Sequence, residues 1–395
     1  QLLYKTYIIK AVNKAISFVE NKKVIVALEK IKNNIPIRAG PFTYIYATYR
    51  NKILYLDNTL LDNPQNYTEL LVTLIHEARV IAYPESKDQE NEAFAIRVVM
   101  LGMAKEADKD IRRYGIRQTP LNRASYLSTY FGKPVLIKEE FNQVTGSFKP
   151  RFVSYILTQL NRRRVAHKGI DPVETLISYS TGNHGIATAY LARILSKESL
   201  ICASSKISEF KKNKLARLGT QAQIAWPQGE EFKDFDEAKT AAEEFYRMEG
   251  DRAILIPHAS YGVCAGYGTI MLEVYRQLKE IGSEGKTWAI VVPTGDGGLA
   301  GGIAAIAKGL ELNNIKVIAA GTEHYDSLMN SIKTGYPVKA SGDKSGTGVI
   351  EDGVAVDKLS QAGLTFWQLF GDDMTIVSRK EAVTATNLVY RDTRV

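Results

Sequence analysis

Trp288-Ala289-Ile290-Val291-Val292-Pro293-Thr294-Gly295-Asp296-Gly297-Gly298-Leu299-Ala300 reads as a strand, a glycine turn and the opening of a helix. The apolar stretch is strand-sized and far short of a membrane span. A helical pattern over 299–310 and a second apolar run over 315–320 complete a strand–helix–strand unit. The same texture lies upstream, with strands at 135–138 and 175–179 and helices at 151–164 and 185–195. Such alternation implies an α/β fold, with mainly parallel sheets covered by helices. Ligands of these sheets sit at the carboxyl ends of the strands, where this chain keeps its glycine turns.

The chain has 395 residues, 45% of them hydrophobic and 24% charged, which suits two domains and excludes a disordered chain. Two cysteines, Cys202 and Cys264, exclude a disulfide scaffold and a cysteine-rich zinc module. Low cysteine usage fits a reducing, cytoplasmic setting. Because the chain opens on Gln1, its start says nothing about targeting. No apolar run reaches membrane-spanning length, so no membrane partner is expected. The net charge of +8 is split evenly, +4 in residues 1–116 and +4 in the rest. Without a basic stripe interleaved with aromatics, no nucleic-acid partner is expected either.

The texture changes near residue 116. Residues 1–115 read as a mostly helical amino-terminal domain with one hairpin. Helical patterns cover 1–20, about 66–82 and 86–113, the last two split by Pro84. Aromatic and β-branched runs at 42–49 and 53–57 flank Arg50-Asn51-Lys52 as a hairpin. Residues 116–395 form the second domain.

Four short segments of the second domain carry chemistry. In Thr145-Gly146-Ser147-Phe148-Lys149-Pro150-Arg151, Pro150 suits a first helical position, which sets Lys149 just before a helix. The helix N-terminus disfavours a cation there and makes the neutral, nucleophilic amine more accessible. In Ser180-Thr181-Gly182-Asn183-His184-Gly185, glycines between a strand and a helix aim backbone N–H groups at one point, suited to a carboxylate or phosphate. Gly295-Asp296-Gly297-Gly298 repeats that arrangement with no Cβ in the way of a phosphate, Asp296 excepted. Ala265-Gly266-Tyr267-Gly268-Thr269, leading to Glu273, marks close packing of chain and helix. A competing reading takes Gly295, Gly297 and Ala300 as G-x-G-x-x-A, with Glu323 ending the next strand, the fingerprint of an NAD(P)-dependent oxidoreductase. It leaves Lys149 and the asparagine turn without a role.

In this order the four segments resemble the tryptophan-synthase-β superfamily of pyridoxal-phosphate enzymes, fold type II, and within it the threonine/serine dehydratase and serine racemase branch. The likeness runs from Thr119-Pro120-Leu121 to about residue 385 and includes Leu136-Ile137-Lys138-Glu139-Glu140 and Asp352-Gly353-Val354-Ala355-Val356. It implies a two-lobed fold, with a small lobe of about 176–260 inserted in the large one. It implies pyridoxal 5'-phosphate held by Lys149 as an imine, with Lys149 then acting as acid and base. Phe148 would pack near the ring and Asn183 would bond its phenolic oxygen. Gly295, Asp296, Gly297, Gly298 and Leu299 would form the phosphate loop. Ser180, Thr181, Gly182, Asn183 and His184 would line the site for the carboxylate of a small amino-acid substrate. Thr181 stands where the racemase has a catalytic serine, and its β-branched side chain argues against racemisation. The implied reaction eliminates the β-substituent of a serine- or threonine-like substrate through an aminoacrylate to keto acid and ammonia. β-Replacement, as in cysteine synthases, is the alternative outcome of the same site. Relatives are commonly dimers, so the resemblance implies a homodimer.

Two departures stand out. Asp296 replaces a residue that is glycine or threonine in the family, and a carboxylate beside a phosphate is repulsive unless it points outward or pairs with a cation. In the family, a further helix, strand and helix follow the segment near Glu381 and bring a small polar residue to the ring nitrogen; here Val395 is the last residue. These departures leave room for a fold that binds or regulates without turnover. In the amino-terminal domain, Tyr55-Leu56-Asp57 and the later His76-Glu77-Ala78-Arg79-Val80, with Glu90 and Glu92 beyond, resemble a degenerate zinc-peptidase domain. Val80 occupies the place of the second histidine ligand, so no metal is expected.

Overall fold

A computed structural model describes residues 11–34, 37–40, 47–50, 53–57, 67–83, 85–180, 182–205, 207–220, 222–341 and 352–394. The expected hairpin is present: Ala47–Arg50 pairs antiparallel with Ile53–Asp57. The rest of the expected first strand, 42–46, the turn residues Asn51 and Lys52, and Pro84 lie outside the described residues. A third strand, Ile37–Gly40, runs parallel to Ile53–Asp57 and makes a three-stranded sheet. Helices Tyr67–Ala82 and Asp88–Asp110 follow as expected. A helix at Lys22–Asn34 is not anticipated, although Val24, Ala27, Leu28 and Ile31 are spaced for one and are buried.

Two parallel sheets organise the remainder. One has four strands in the order Ala222–Gln223, Glu198–Cys202, Thr175–Ser178, Ala253–Leu255. The other has three, in the order Trp288–Pro293, Ile315–Thr322, Asp373–Val377. Leu121–Arg123 and Leu136–Lys138 form a short antiparallel pair. The long helix Tyr261–Glu280 follows the last strand of the four-stranded sheet and precedes the first of the three-stranded one. Its middle, from Gly262 to Val274, is wholly buried.

The amino-terminal helices share a core with this body. Buried Ile96, Val99, Met100 and Ala104 of Asp88–Asp110 belong to one apolar cluster with Met271, Val274, Ile303 and Ile306. Arg276 joins them from the far side, with a two-pronged ion pair to Asp108 at 2.6 and 3.0 Å. Where the zinc-peptidase likeness falls, His76 Nε2 lies 3.0 Å from Asp88 Oδ1 of the next helix. Among the described residues no three His, Cys, Asp or Glu side chains converge on a metal position.

Candidate active site

Three strands end close together. Thr175–Ser178 runs into Tyr179-Ser180, Ala253–Leu255 into Pro257-His258, and Trp288–Pro293 into Gly295-Asp296. The lysine arrives from outside both sheets. Pro150 holds Lys149 in a short 3-10 turn, Lys149–Phe152, that continues into the helix Val153–Ala166. The turn is anchored by Arg151, a fully buried cation. Its guanidinium bonds both oxygens of Glu140 at 2.8 Å and both oxygens of Glu273 at 2.8 and 2.9 Å. Burial alone would destabilise this cation, but Glu140 and Glu273 more than offset it and raise its pKa. Burial likewise works against the Glu273 carboxylate, yet Arg151 and Lys138 hold it below its usual range. Lys138 Nζ adds a bond of 2.7 Å to Glu273. This network ties the lysine turn to the Tyr261–Glu280 helix, whose inner face carries Cys264 and Tyr267.

Lys149 Nζ lies 5.0 Å from the Phe148 ring centre and 5.3 Å from that of Tyr267. Phe148 and Tyr267 meet edge to face at 4.9 Å. One turn before Tyr267, the Cys264 sulfur lies within 3.5 Å of where a side chain on Gly298 would begin. The charge of Lys149 bears on His184, His258 and Cys264, and that of Asp296 on His258, Cys264, Tyr267 and Tyr179. The lysine therefore faces inward, between the asparagine turn and the glycine loop.

The asparagine turn opens the helix Asn183–Ile194. Gly182 caps it, and its N–H donates to Ser180 Oγ at 3.3 Å. A side chain on Gly185 would run into the Ser180 carbonyl and the Ile201 methyl, so only glycine lets the helix start this close to the strand end. Asn183 is exposed at the first helical position. Thr181 lies outside the described residues. His184 turns inward: Nε2 donates to the Ile256 carbonyl at 3.2 Å, and its ring lies 4.9 Å from Phe152 and 4.3 Å from His258. His258 stacks on Tyr179 at 4.9 Å with rings nearly parallel. Burial, reinforced by neighbouring His258 and Lys149, holds His184 well below its ordinary pKa. Burial and Lys149 lower His258 to about 4. Burial raises Tyr179 to about 12 and pushes Tyr267 and Cys264 upward, so all of these groups are neutral near pH 7.

The glycine loop turns at Gly297, where φ is +85° and Gly363 Cα would stand 2.9 Å from any Cβ. Gly295 packs against Val354 and Val356, so the Asp352–Val356 segment backs the glycine loop. Gly298 opens the helix Gly298–Gly309, and Leu299 is half-buried between two apolar clusters. Asp296 points inward, against the simplest way of avoiding a phosphate: Oδ1 accepts the Gly298 N–H at 3.1 Å. Glu323, which the dinucleotide reading would give to a ribose, accepts the Arg379 N–H at 2.8 Å instead.

Buried polar atoms without a hydrogen-bond partner among the described residues gather here. They include Thr145 Oγ1, Ser147 Oγ, Ser178 Oγ, His184 Nδ1, His258 Nε2, Tyr267 Oη and Asp296 Oδ2. Such a concentration is costly unless a polar ligand completes it. An aromatic aldehyde carrying a hydroxyl, a ring nitrogen and a phosphate fits this donor and acceptor set, Asp296 Oδ2 excepted, which as a carboxylate oxygen offers a phosphate no proton. The sequence reading does not single out His258, Tyr179 or Cys264. One signal for His258 is a histidine three residues past an apolar strand, at the carboxyl edge of the sheet.

Residues 112–395 match the family described as pyridoxal-phosphate dependent enzymes. The chain belongs to that family. Similar proteins include the biosynthetic L-threonine dehydratase of Salmonella typhimurium, 29% identical over 70% of this chain and 49% of that protein. Human serine racemase is 30% identical over 70% of this chain and 75% of its own. The solved structure of processed threonine deaminase isoform 2 from Solanum lycopersicum superposes with a TM-score of 0.63 at 27% identity, covering 76% of this chain and 75% of that one. The chain spans about half the length of the dehydratases it matches. The fold is thus the two-lobed type II α/β fold with parallel sheets that the resemblance implies. No helix among the described residues is long and apolar enough to cross a membrane.

Proposed function

We propose that this chain is a pyridoxal-phosphate-dependent lyase that removes the β-substituent and the amino group of a small serine- or threonine-like amino acid. The observation that carries the reading is the inward-facing Lys149, set between a helix start at Asn183 and a glycine loop at Gly295–Gly298 amid unpartnered buried polar atoms. The bound cofactor supplies an electron sink for the charge left when the α-proton departs. Lys149 Nζ would hold the cofactor and would take the α-proton of the substrate. The N–H groups of Gly297, Gly298 and Leu299 receive the phosphate, and Ala300 follows in the same helical turn. Ser180, Thr181, Gly182 and the first turn of Asn183–Ile194 receive the substrate carboxylate, and Asn183 the ring hydroxyl. Neutral His184 and His258 keep competing positive charge away from Lys149. The names of the relatives support elimination over β-replacement. Two free, buried cysteines fit a reducing, cytoplasmic setting, and a homodimer is testable by sedimentation.

The test is direct. Protein loaded with pyridoxal phosphate should absorb in the visible, and borohydride should bleach it and leave the added mass on the peptide carrying Lys149. Serine or threonine should then yield keto acid and ammonia, and Lys149→Ala should abolish both signals. Attachment at another lysine, or full activity in Lys149→Ala, would overturn the assignment.

A further inference from the structure

The glycine loop already contains an anion. The first helical bond of Gly298–Gly309 runs from the Gly301 N–H to the Gly297 carbonyl at 2.8 Å. The N–H groups of Gly298, Leu299 and Ala300 are therefore the free donors of the helix start. Asp296 Oδ1 takes the first of these at 3.1 Å, and Oδ2 is buried with no partner among the described residues. The backbone cannot carry this carboxylate away. Ser360 Oγ donates to the Asp296 carbonyl at 3.0 Å, and the next residue, Gly297, is wedged against Gly363. Only side-chain rotation can clear the donor.

We propose that Asp296 is a resident competitor in the phosphate loop: the cofactor's phosphate must displace its carboxylate from the Gly298 N–H and then tolerate a like charge beside it. This rests on the reading of Gly295–Leu299 as the phosphate site. Phosphate consequently contributes less to cofactor affinity than in a chain with glycine at this position, and Lys149 carries more of it. Discrimination between pyridoxal phosphate and pyridoxal, which lacks the phosphate, is correspondingly low. The same contact serves the empty protein, because it satisfies a helix-start donor that would otherwise be open.

The test compares pyridoxal phosphate and pyridoxal on the full chain and on Asp296→Asn and Asp296→Gly. Binding is read by calorimetry and attachment by visible absorption. Asn keeps the bond to Gly298 without the charge, and Gly clears the loop. Pyridoxal phosphate should bind about tenfold tighter to Asp296→Asn, the difference expected for relief of one close like-charge contact, and tighter still to Asp296→Gly, which also frees the Gly298 N–H, while pyridoxal affinity stays the same. The same titrations in a Lys149→Ala background separate the two ideas. Gain on Asp296→Asn without attachment at Lys149 would keep the competitor and remove the lysine. Attachment with unchanged or weaker pyridoxal phosphate affinity in both variants would remove the competitor and keep the lysine. Equal tightening of pyridoxal would also overturn the proposal, because the effect would not be on phosphate.

Discussion

His258 sits between Tyr179, His184 and Phe235, with ring separations of 4.9, 4.3 and 5.7 Å, and its Nε2 is unpartnered among the described residues. Besides these it feels the charges of Lys149, Asp296 and Lys239. Because the folded state lowers its pKa to about 4 from 6.5, the unfolded chain binds more protons between those values. Its contribution to stability is fully present above pH 6.5 and is lost as the pH falls toward 4. Urea midpoints measured across that window should decline, and His258→Asn should flatten the decline. An equal slope in the variant would assign the effect elsewhere, with His184 the next residue to test. Gly185 makes a second residue-scale prediction. Gly185→Ala forces a methyl against the Ser180 carbonyl and should cost about 1–3 kcal/mol in urea unfolding, as overpacking does. It should also weaken cofactor loading, since the asparagine turn must move.

At the scale of elements, the network of Arg151, Glu140, Glu273 and Lys138 joins the stretch from Lys138 to Arg151 to a helix more than a hundred residues further along the chain. Arg151→Met leaves the buried Glu273 and the half-buried Glu140 beside a single lysine. The expected cost is ~3–5 kcal/mol, the range for breaking a buried ion pair from one side. The lysine turn should loosen as well, so visible absorption per bound cofactor should fall even where the variant stays folded. A milder element-scale effect belongs to the last helix, Arg379–Thr393. Asp392 accepts the Tyr126 and Leu127 N–H groups at 2.8 and 2.9 Å, and so caps the helix Ser125–Phe131 from the far end of the chain. Asp392→Ala should lower stability by about 1 kcal/mol, the usual worth of such a cap. The cap has no local signature, because Ala124 precedes the helix and has no side chain to serve it.

At the scale of the whole molecule, the amino-terminal segment is a wall of the core that holds the helices Tyr261–Glu280 and Gly298–Gly309. Gly309 admits Arg97 and Leu101 at close range, and the Tyr261–Glu280 and Gly298–Gly309 helices bury their outer faces against Asp88–Asp110. A chain that begins at residue 112 would expose this apolar surface. It should bind a hydrophobic dye and lose its sharp unfolding transition; a truncated chain that unfolds as sharply as the full one would count against the shared core.

Local pattern and tertiary structure decided different things. Trp288–Pro293, the glycine turn after it and the strand–helix alternation are readable because strands favour β-branched and aromatic residues and a tight turn needs glycine; the strand's burial is not, since Ala289, Val291 and Pro293 are exposed along one face. The local form of the four quoted segments is legible for the same reason: each is a short backbone geometry with strict residue demands. The inward course of Asp296, the histidine pair and the buried ion network were not, since each depends on side chains brought together from separate elements. Pattern within one segment reports the needs of its own backbone. Which charges end up sharing one low-dielectric pocket is set by how the segments pack, and that is where the chemistry of this chain is tuned.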